Sequence, residues 1–97
     1  MAAYIIVNIE ITDLERYAEY IKIAPASITR LGGKYLVRGG RAEKLEGKWE
    51  PKRVVILEFE TFKKAREWWS CDEYAGPKKL RQSAAITNMI LVEGMPQ

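Results

Sequence analysis

The sequence contains no histidine and only one cysteine, Cys71, and each shortage excludes a kind of site. Without histidine, the chain lacks the side chain that most often serves as a general base near neutral pH or as a metal ligand. One cysteine cannot form an intrachain disulfide, which indicates a reducing compartment, and we expect a cytoplasmic protein. No group of ligands has the spacing of a zinc site, so the sequence predicts no metal and no cofactor.

Long apolar runs and a strong charge imbalance are also missing. No run approaches the roughly 18 residues that a membrane span needs, and no signal peptide is indicated. The net charge of +3 is too small to indicate nucleic-acid binding. We expect the basic residues of the second helical region, including Arg81, to form a solvated helix face. The length of 97 residues and the hydrophobic fraction of 47% fit a single soluble domain over residues 1–97.

Period-two patterns and glycine pairs predict four strands, at residues 4–11, 34–38, 54–59 and 86–93. The pairs 32–33 and 39–40 bracket the second strand, because glycine adopts positive φ without steric cost and so permits sharp turns. An extended excursion follows up to Pro51. The third strand is apolar on both faces, which predicts a central place in a sheet.

The first helix is predicted between the first two strands. Thr12 and Glu15 have the spacing of a capping box at its start, Pro25 should kink or restart it, and Gly32 should end it. Its inward face is formed by residues at helical spacing, namely Leu14, Tyr17, Ala18, Ile21, Ile28 and Leu31.

The second helical region is predicted between the last two strands. Thr61 should cap it, and Ser70 with Glu73 has the spacing of another capping box, which predicts a separate segment after residue 70. The inward residues of the first segment are expected to be Phe62, Ala65, Trp68 and Trp69.

The predicted order β-α-β-β-α-β is that of the ferredoxin-like split βαβ arrangement, an α+β fold with an antiparallel sheet. The first and third strands then occupy the centre, and both helical regions cover one face. The other face has no cover within the chain, and an apolar face of that size is unusual in contact with water. We therefore expect a homodimer in which two sheets face each other.

Several short blocks together form a recognisable pattern along nearly the whole chain: Tyr17-Ala18-Glu19-Tyr20 after Asp13, Gly32-Gly33-Lys34-Tyr35-Leu36-Val37-Arg38-Gly39-Gly40, Leu45-Glu46-Gly47-Lys48-Trp49, Arg53-Val54-Val55, Glu58-Phe59, Ala65-Arg66-Glu67-Trp68, Ser70, Glu73-Tyr74 and Leu80-Arg81. These blocks resemble the domain of unknown function 1330 family, and the block around Arg38 and Glu46 is specific. Cys71 stands where members of the family usually have proline, so it looks like the replacement of a structural residue.

The resemblance implies a dimeric α/β barrel of ferredoxin-like subunits, and it implies no particular reaction. The wider barrel superfamily includes cofactor-free monooxygenases, haem-degrading enzymes, dismutating enzymes and plain ligand-binding proteins.

Strand alternation suggests a polar pocket inside the barrel. Asn8 would face the barrel interior, Asn88 on the last strand would lie near it, and Arg38 and Glu58 would lie on neighbouring strands. Buried charges need partners, so Arg38 either pairs with Glu58 or Glu46, or it is available to a ligand.

Three further candidates lie outside this set. Arg53 begins the third strand, where it either holds Glu46 or Glu50 or contacts a ligand. Tyr17 and Tyr20 have the spacing of core residues, and the alternative is an aromatic wall that presents a hydroxyl to a cleft.

Three hypotheses about function follow. The first is a small-molecule binding protein in which Arg38 grips a carboxylate or similar anion. The second is a cofactor-free enzyme, monooxygenase-, isomerase- or lyase-like, with Glu58 or Glu46 as acid or base and Arg38 as electrostatic stabiliser. The third is an interaction protein whose charged groups serve only dimer specificity.

Overall fold

The computed structural model of the chain describes residues 1–96, which form four strands and three helices. None of these helices combines the length and the apolar character needed to cross a bilayer. In chain order the elements are β1 Ala3–Ile11, α1 Leu14–Arg30, β2 Lys34–Arg38, β3 Arg53–Phe59, α2 Phe62–Ser70, α3 Asp72–Ala84 and β4 Ala85–Glu93.

The four strands form one antiparallel sheet in the order β2-β3-β1-β4. β1 and β3 occupy the centre, which confirms the prediction from their apolar patterns. The predicted second helical region consists of α2 and α3. The three helices pack on one side of the sheet, here called the covered face, and the other side is the open face. The arrangement is the ferredoxin-like α+β fold that the sequence predicts.

The start of α1 differs by one residue from the prediction. Asp13 caps the helix, because its Oδ1 accepts a hydrogen bond from the backbone N–H of Arg16 at 3.1 Å. The predicted cap at Thr12 is therefore wrong. α1 also continues through Pro25 to Arg30, so this proline does not restart the helix.

The end of α1 is a glycine turn of the Schellman type. Gly32 has φ 81°, and its N–H donates to the carbonyl of Thr29 at 3.0 Å. The N–H of Gly33 donates to the carbonyl of Ile28 at 2.8 Å. A Cβ at Gly33 would lie 2.6 Å from the ring of Phe59, so the turn also needs glycine for close packing. The predicted helix end at Gly32 is confirmed.

Two helix starts follow β3, and only the first has the predicted cap. Thr61 caps α2, with its Oγ1 accepting a backbone N–H one turn later at 3.0 Å. Ser70, predicted to cap α3, is instead the last residue of α2. The N-cap of α3 is Cys71, whose side chain makes no capping hydrogen bond. Glu73 forms an ion pair with Arg30 of α1 instead of completing a capping box.

The hydrophobic core lies between the covered face and the helices. Two residues predicted to face inward on α2, Phe62 and Trp69, are each 40% exposed, and Leu14 of α1 lies outside the core as well. The core residues are Ala3, Ile5, Val7, Ile9, Tyr17, Tyr20, Ala24, Ile28, Val55, Leu57, Phe59, Ala65, Trp68, Tyr74, Ala84 and Ala85.

The open face is also apolar, but no element of residues 1–96 packs over it. On β4, Ile86 is 59% exposed, Ile90 58% and Val92 42%. Ile6 of β1 lies opposite both Ile90 and Ile56 of β3, so the apolar strip crosses the central strands. A contiguous patch of this kind is typical of an interaction surface.

Candidate functional site

A β-bulge in β2 turns Arg38 towards the helices. Tyr35 lies opposite Leu57 and Arg38 opposite Val55, so three steps along β2 match two along β3, and Leu36 is the extra residue. Leu57 and Val55 are buried on the covered face. Because side chains alternate along a strand, the extra residue places both Tyr35 and Arg38 on that face.

The same bulge separates Arg38 from Glu58. Glu58 lies on the open face, where its Oε1 is 3.1 Å from the Nζ of Lys34. The two strands are neighbours, as expected, but the predicted pocket that joins Arg38 to Glu58 is wrong because the residues lie on opposite faces of the sheet.

Arg38 satisfies a carbonyl that α1 leaves free. Proline has no backbone N–H, so Pro25 cannot donate the helical bond to the carbonyl of Ile21. The Nη2 of Arg38 donates to this oxygen at 3.3 Å. The guanidinium also lies over the ring of Tyr35, 4.5 Å from its centroid. Arg38 is thus held against α1 while its side chain remains exposed.

Arg53 lies beside the same helix, at the start of β3. Its Nε donates to the hydroxyl of Tyr17 at 3.2 Å, and its guanidinium lies 5.6 Å from the centre of that ring. Gly39 makes room for it: this glycine has φ 72°, and a Cβ there would lie 2.1 Å from Nη1 of Arg53. The glycine after β2 therefore leaves the space that the guanidinium of Arg53 occupies.

A third arginine, Arg81, lies deeper, on α3. It is only 4% exposed, and its Nε donates to the hydroxyl of Tyr74 at 3.3 Å. The hydroxyl of Tyr74 in turn lies 2.7 Å from that of Tyr20, a hydrogen-bonding distance. Burial, and next the neighbouring Tyr74, raises the pKa of Tyr20 well above its usual value. Tyr20 is therefore a neutral phenol near neutral pH, unable to act there as a ready base.

The three arginines line one cavity of about 30 Å³ between α1, α3 and the sheet. We call it the three-arginine cleft, defined by Arg38, Arg53 and Arg81. Its walls include four aromatic side chains, and no acidic side chain among residues 1–96 lines it. The ion pairs formed within that range involve other arginines and lysines. Guanidinium groups without carboxylate partners make the cleft electropositive.

Tyr35 belongs to the wall of this cleft. Burial raises the pKa of Tyr35, and the nearby charge of Arg38 partly opposes that effect. Tyr20 and Tyr35 are thus hydrogen-bonding groups and not anions near neutral pH, so they do not neutralise the arginines.

Four of the residues singled out in the sequence lie around the cleft: Tyr17, Tyr20, Arg38 and Arg53. The sequence predicts Arg38 in the barrel interior, and it predicts Tyr17 and Tyr20 on the first helix, either in the core or in an aromatic wall. The structure brings all four together on the helix side of the sheet.

The other candidates lie elsewhere. Asn8 and Asn88 are paired across β1 and β4 on the open face, and the Oδ1 of Asn8 accepts from the backbone N–H of Lys52 at 2.9 Å. Glu58 is on the same face, and Glu46 is exposed in the excursion between β2 and β3. None of these four predicted site residues lines the cleft.

Arg81 is the site residue that the sequence did not single out. Arg81 was expected on a solvated helix face, but it is buried. A usable signal was present: Tyr74 and Arg81 are seven residues apart, which puts them two turns apart on one side of a helix. Within residues 1–96, no three cysteine or acidic side chains come together to hold a metal ion.

Solved structures with the same fold include two proteins of unknown function and one oxygenase. A protein of unknown function from Rhodopseudomonas palustris, RPA0582, has a TM-score of 0.78 at 21% identity, covering 99% of this chain and 84% of its own. A dimeric ferredoxin-like protein of unknown function from Jannaschia sp. CCS1 has a TM-score of 0.71 at 13% identity, covering 97% and 100%. SnoaB, a cofactor-independent oxygenase from Streptomyces nogalater, has a TM-score of 0.67 at 8% identity, covering 99% and 95%.

At these identities the likenesses show a common fold. A comparison with curated protein sequences gave no match. A family model, Domain of unknown function (DUF1330), matches residues 2–95, nearly the whole chain. The chain therefore belongs to the DUF1330 family.

Proposed function

We propose that the protein binds a small anionic molecule, most simply a carboxylate, in the three-arginine cleft. The observation that carries the proposal is the presence of three arginines around one cavity that no acidic side chain of residues 1–96 lines. Guanidinium is the side-chain group best suited to grip a carboxylate, with two parallel hydrogen bonds. A bound anion would supply the charge that the cleft lacks.

The size of the cleft limits which part of the ligand enters it. One water molecule needs a cavity volume of about 10–15 Å³. The cleft, at about 30 Å³, therefore holds roughly two waters, or the two oxygens of a carboxylate. The remainder of the ligand would extend past Arg38, which is exposed at the mouth. Tyr17 and Tyr20 also line the cleft, so their hydroxyl groups are available to the ligand.

We also propose that two copies pair through the open face. Support comes from the exposed isoleucines of β4 and from a structural neighbour described as dimeric. Burying that patch against a second copy would remove a large apolar surface from water. The cleft is on the opposite side of the sheet, so pairing leaves it accessible.

The enzyme hypothesis has less support than the binding hypothesis. Neither Glu58 nor Glu46 lines the cleft, so neither carboxylate is placed to act on an anion held there. Tyr20 is held neutral by burial. A likeness in fold to a cofactor-independent oxygenase at 8% identity does not supply an acid or a base.

Isothermal titration with pyruvate tests the proposal, with pyruvamide as the uncharged control. We expect pyruvate to bind the parent chain, and we expect Arg38→Met and Arg53→Met each to weaken it roughly tenfold, the size of a lost charge-assisted hydrogen bond. Arg41→Met is the matched control, because Arg41 lies in the exposed excursion and its loss changes the net charge equally.

Stability must be measured beside affinity. Arg38 is exposed and pairs with no carboxylate of residues 1–96, so Arg38→Met should cost about 0–1 kcal/mol of unfolding free energy. If pyruvamide binds as well as pyruvate, or if Arg41→Met weakens pyruvate as much as Arg38→Met, the cleft is not the anion site.

A further inference from the structure

A second and larger cavity lies on the other side of Arg81, between α2 and the edge strand β4. Its volume is about 560 Å³, in the range of small-molecule sites, and we call it the α2–β4 groove. It shares only Arg81 and Met89 with the three-arginine cleft. Its walls include Phe62, Arg66, Trp69, Arg81 and Thr87.

The inner wall of the groove holds a polar atom without a partner. The Oγ1 of Thr87 is buried, and among residues 1–96 it makes no hydrogen bond. Leaving a buried hydroxyl unpaired is unfavourable, so such a group needs an explanation. A ligand that reaches the inner wall would supply the missing partner.

Arg81 adds a charge to the same wall. Its guanidinium is almost wholly buried, and its Nε is bonded to the hydroxyl of Tyr74. Among residues 1–96 it pairs with no carboxylate, and no acidic side chain lines the groove. Arg66 adds a second positive side chain among the lining residues. The polar end of the groove thus favours an anion.

The outer wall of the groove is aromatic. Phe62 and Trp69 of α2 are both partly exposed and line the groove, although neighbouring α2 positions bury their side chains in the core. The Nζ of Lys78 lies 3.7 Å from the centre of the Trp69 ring and donates to the backbone carbonyl of Trp69 at 2.8 Å, which fixes the indole in place. Two partly exposed rings beside a buried polar wall match a ligand with one apolar end and one charged end.

We propose that the α2–β4 groove binds an amphipathic carboxylate, with its carboxylate against Thr87 and Arg81 and its apolar body on Phe62 and Trp69. The hydroxyl of Thr87 would donate to a carboxylate oxygen. This site is additional to the cleft at Arg38 and takes a larger ligand.

Heteronuclear NMR titration with 4-phenylbutyrate tests the proposal, with 4-phenylbutan-1-ol as the uncharged probe of the same shape. We expect the acid to shift the Thr87 amide and the Trp69 indole resonances. The alcohol should bind at least roughly tenfold more weakly than the acid, because it lacks the charge that pairs with the guanidinium. Equal affinities for the acid and the alcohol would overturn the proposal.

Two substitutions separate binding from folding. Thr87→Val keeps the shape and removes only an unpaired hydroxyl, so it should not destabilise the chain, yet it should weaken 4-phenylbutyrate several-fold. Thr29→Val, at an exposed position of α1, is its control. Trp69→Ala should weaken binding, whereas Trp49→Ala, at an exposed tryptophan of the excursion, should not.

Arg38→Met distinguishes this site from the three-arginine cleft. The shifts of the Thr87 amide and the Trp69 indole with 4-phenylbutyrate should persist in this variant, since Arg38 does not line the groove. If Arg38→Met abolishes these two shifts, or if Thr87→Val binds as tightly as Thr29→Val, the groove is not the site.

Discussion

The two faces of the sheet are formed by alternate residues of the same strands, and they differ in what covers them. On the covered face, Ile5 of β1 is almost wholly buried under the helices. On the open face, Ile90 of β4 is more than half exposed, although both residues are isoleucine. The chain therefore uses one apolar face to fold and leaves the other exposed.

The two faces also differ in charge. On the open face, the charge of Lys34 is paired with Glu58. The covered face instead collects three arginines in a cleft that no carboxylate of residues 1–96 lines. Arginines left without carboxylates suit an anionic ligand.

Truncating an isoleucine on each face should give the largest difference in the free energy of unfolding. We expect Ile5→Ala to lower the free energy of unfolding by about 2–5 kcal/mol, through lost burial and a cavity. Ile90→Ala should change it by no more than about 0.5 kcal/mol at concentrations that keep the chain monomeric. Urea unfolding of both variants measures this, and equal losses would erase the distinction between the faces.

A charge on the open face should separate two copies without unfolding either. Ile90→Lys places a lysine in the apolar strip, so sedimentation at micromolar concentration should change from twice 11.1 kDa to 11.1 kDa. Circular dichroism should stay unchanged. Ile23→Lys, at an exposed isoleucine of α1, is the control and should remain a dimer. A monomeric parent chain would refute pairing through this face.

Alanine substitutions at the neighbouring Gly39 and Gly40 should have different effects on the covered face. Gly39→Ala forces alanine into positive φ and against the guanidinium of Arg53, so it should cost about 1–2 kcal/mol or more and weaken pyruvate. Gly40→Ala should do neither, because a Cβ there meets nothing within 4 Å. Urea unfolding and titration of both variants test this, and equal effects would contradict the role given to Gly39.

The buried phenol of Tyr20 should make stability fall at alkaline pH. Its pKa is raised in the folded chain, so its contribution is fully present below the unfolded value of about 10 and is lost as pH rises above it. Tyr20→Phe should flatten that fall and cost about 1 kcal/mol at neutral pH through one lost hydrogen bond. Unfolding free energies measured across this pH range test the expectation, and an unchanged alkaline slope in Tyr20→Phe would contradict it.

Sequence patterns predicted the sheet better than they predicted the site. Alternation in β1 showed which residues pack under helices, because a period of two is a property of the local chain. It failed at Arg38, since one extra residue at Leu36 reverses the faces and nothing in the local pattern marks the bulge. The sequence pattern also failed to predict the burial of Arg81. That burial depends on tertiary contacts, namely those with Tyr74 and the packing between α3 and the sheet.

The arginine resonances of the chain test the central claim, that the covered face holds an unpaired cationic cleft for an anion. We would follow the side-chain Nε–Hε signals of every arginine by heteronuclear NMR while pyruvate is added. We expect the signals of Arg38 and Arg53 to move together and saturate, while that of Arg41 stays fixed. If the signal of Arg41 moves as much as those of Arg38 and Arg53, or if none of them saturates, the cleft is not a binding site.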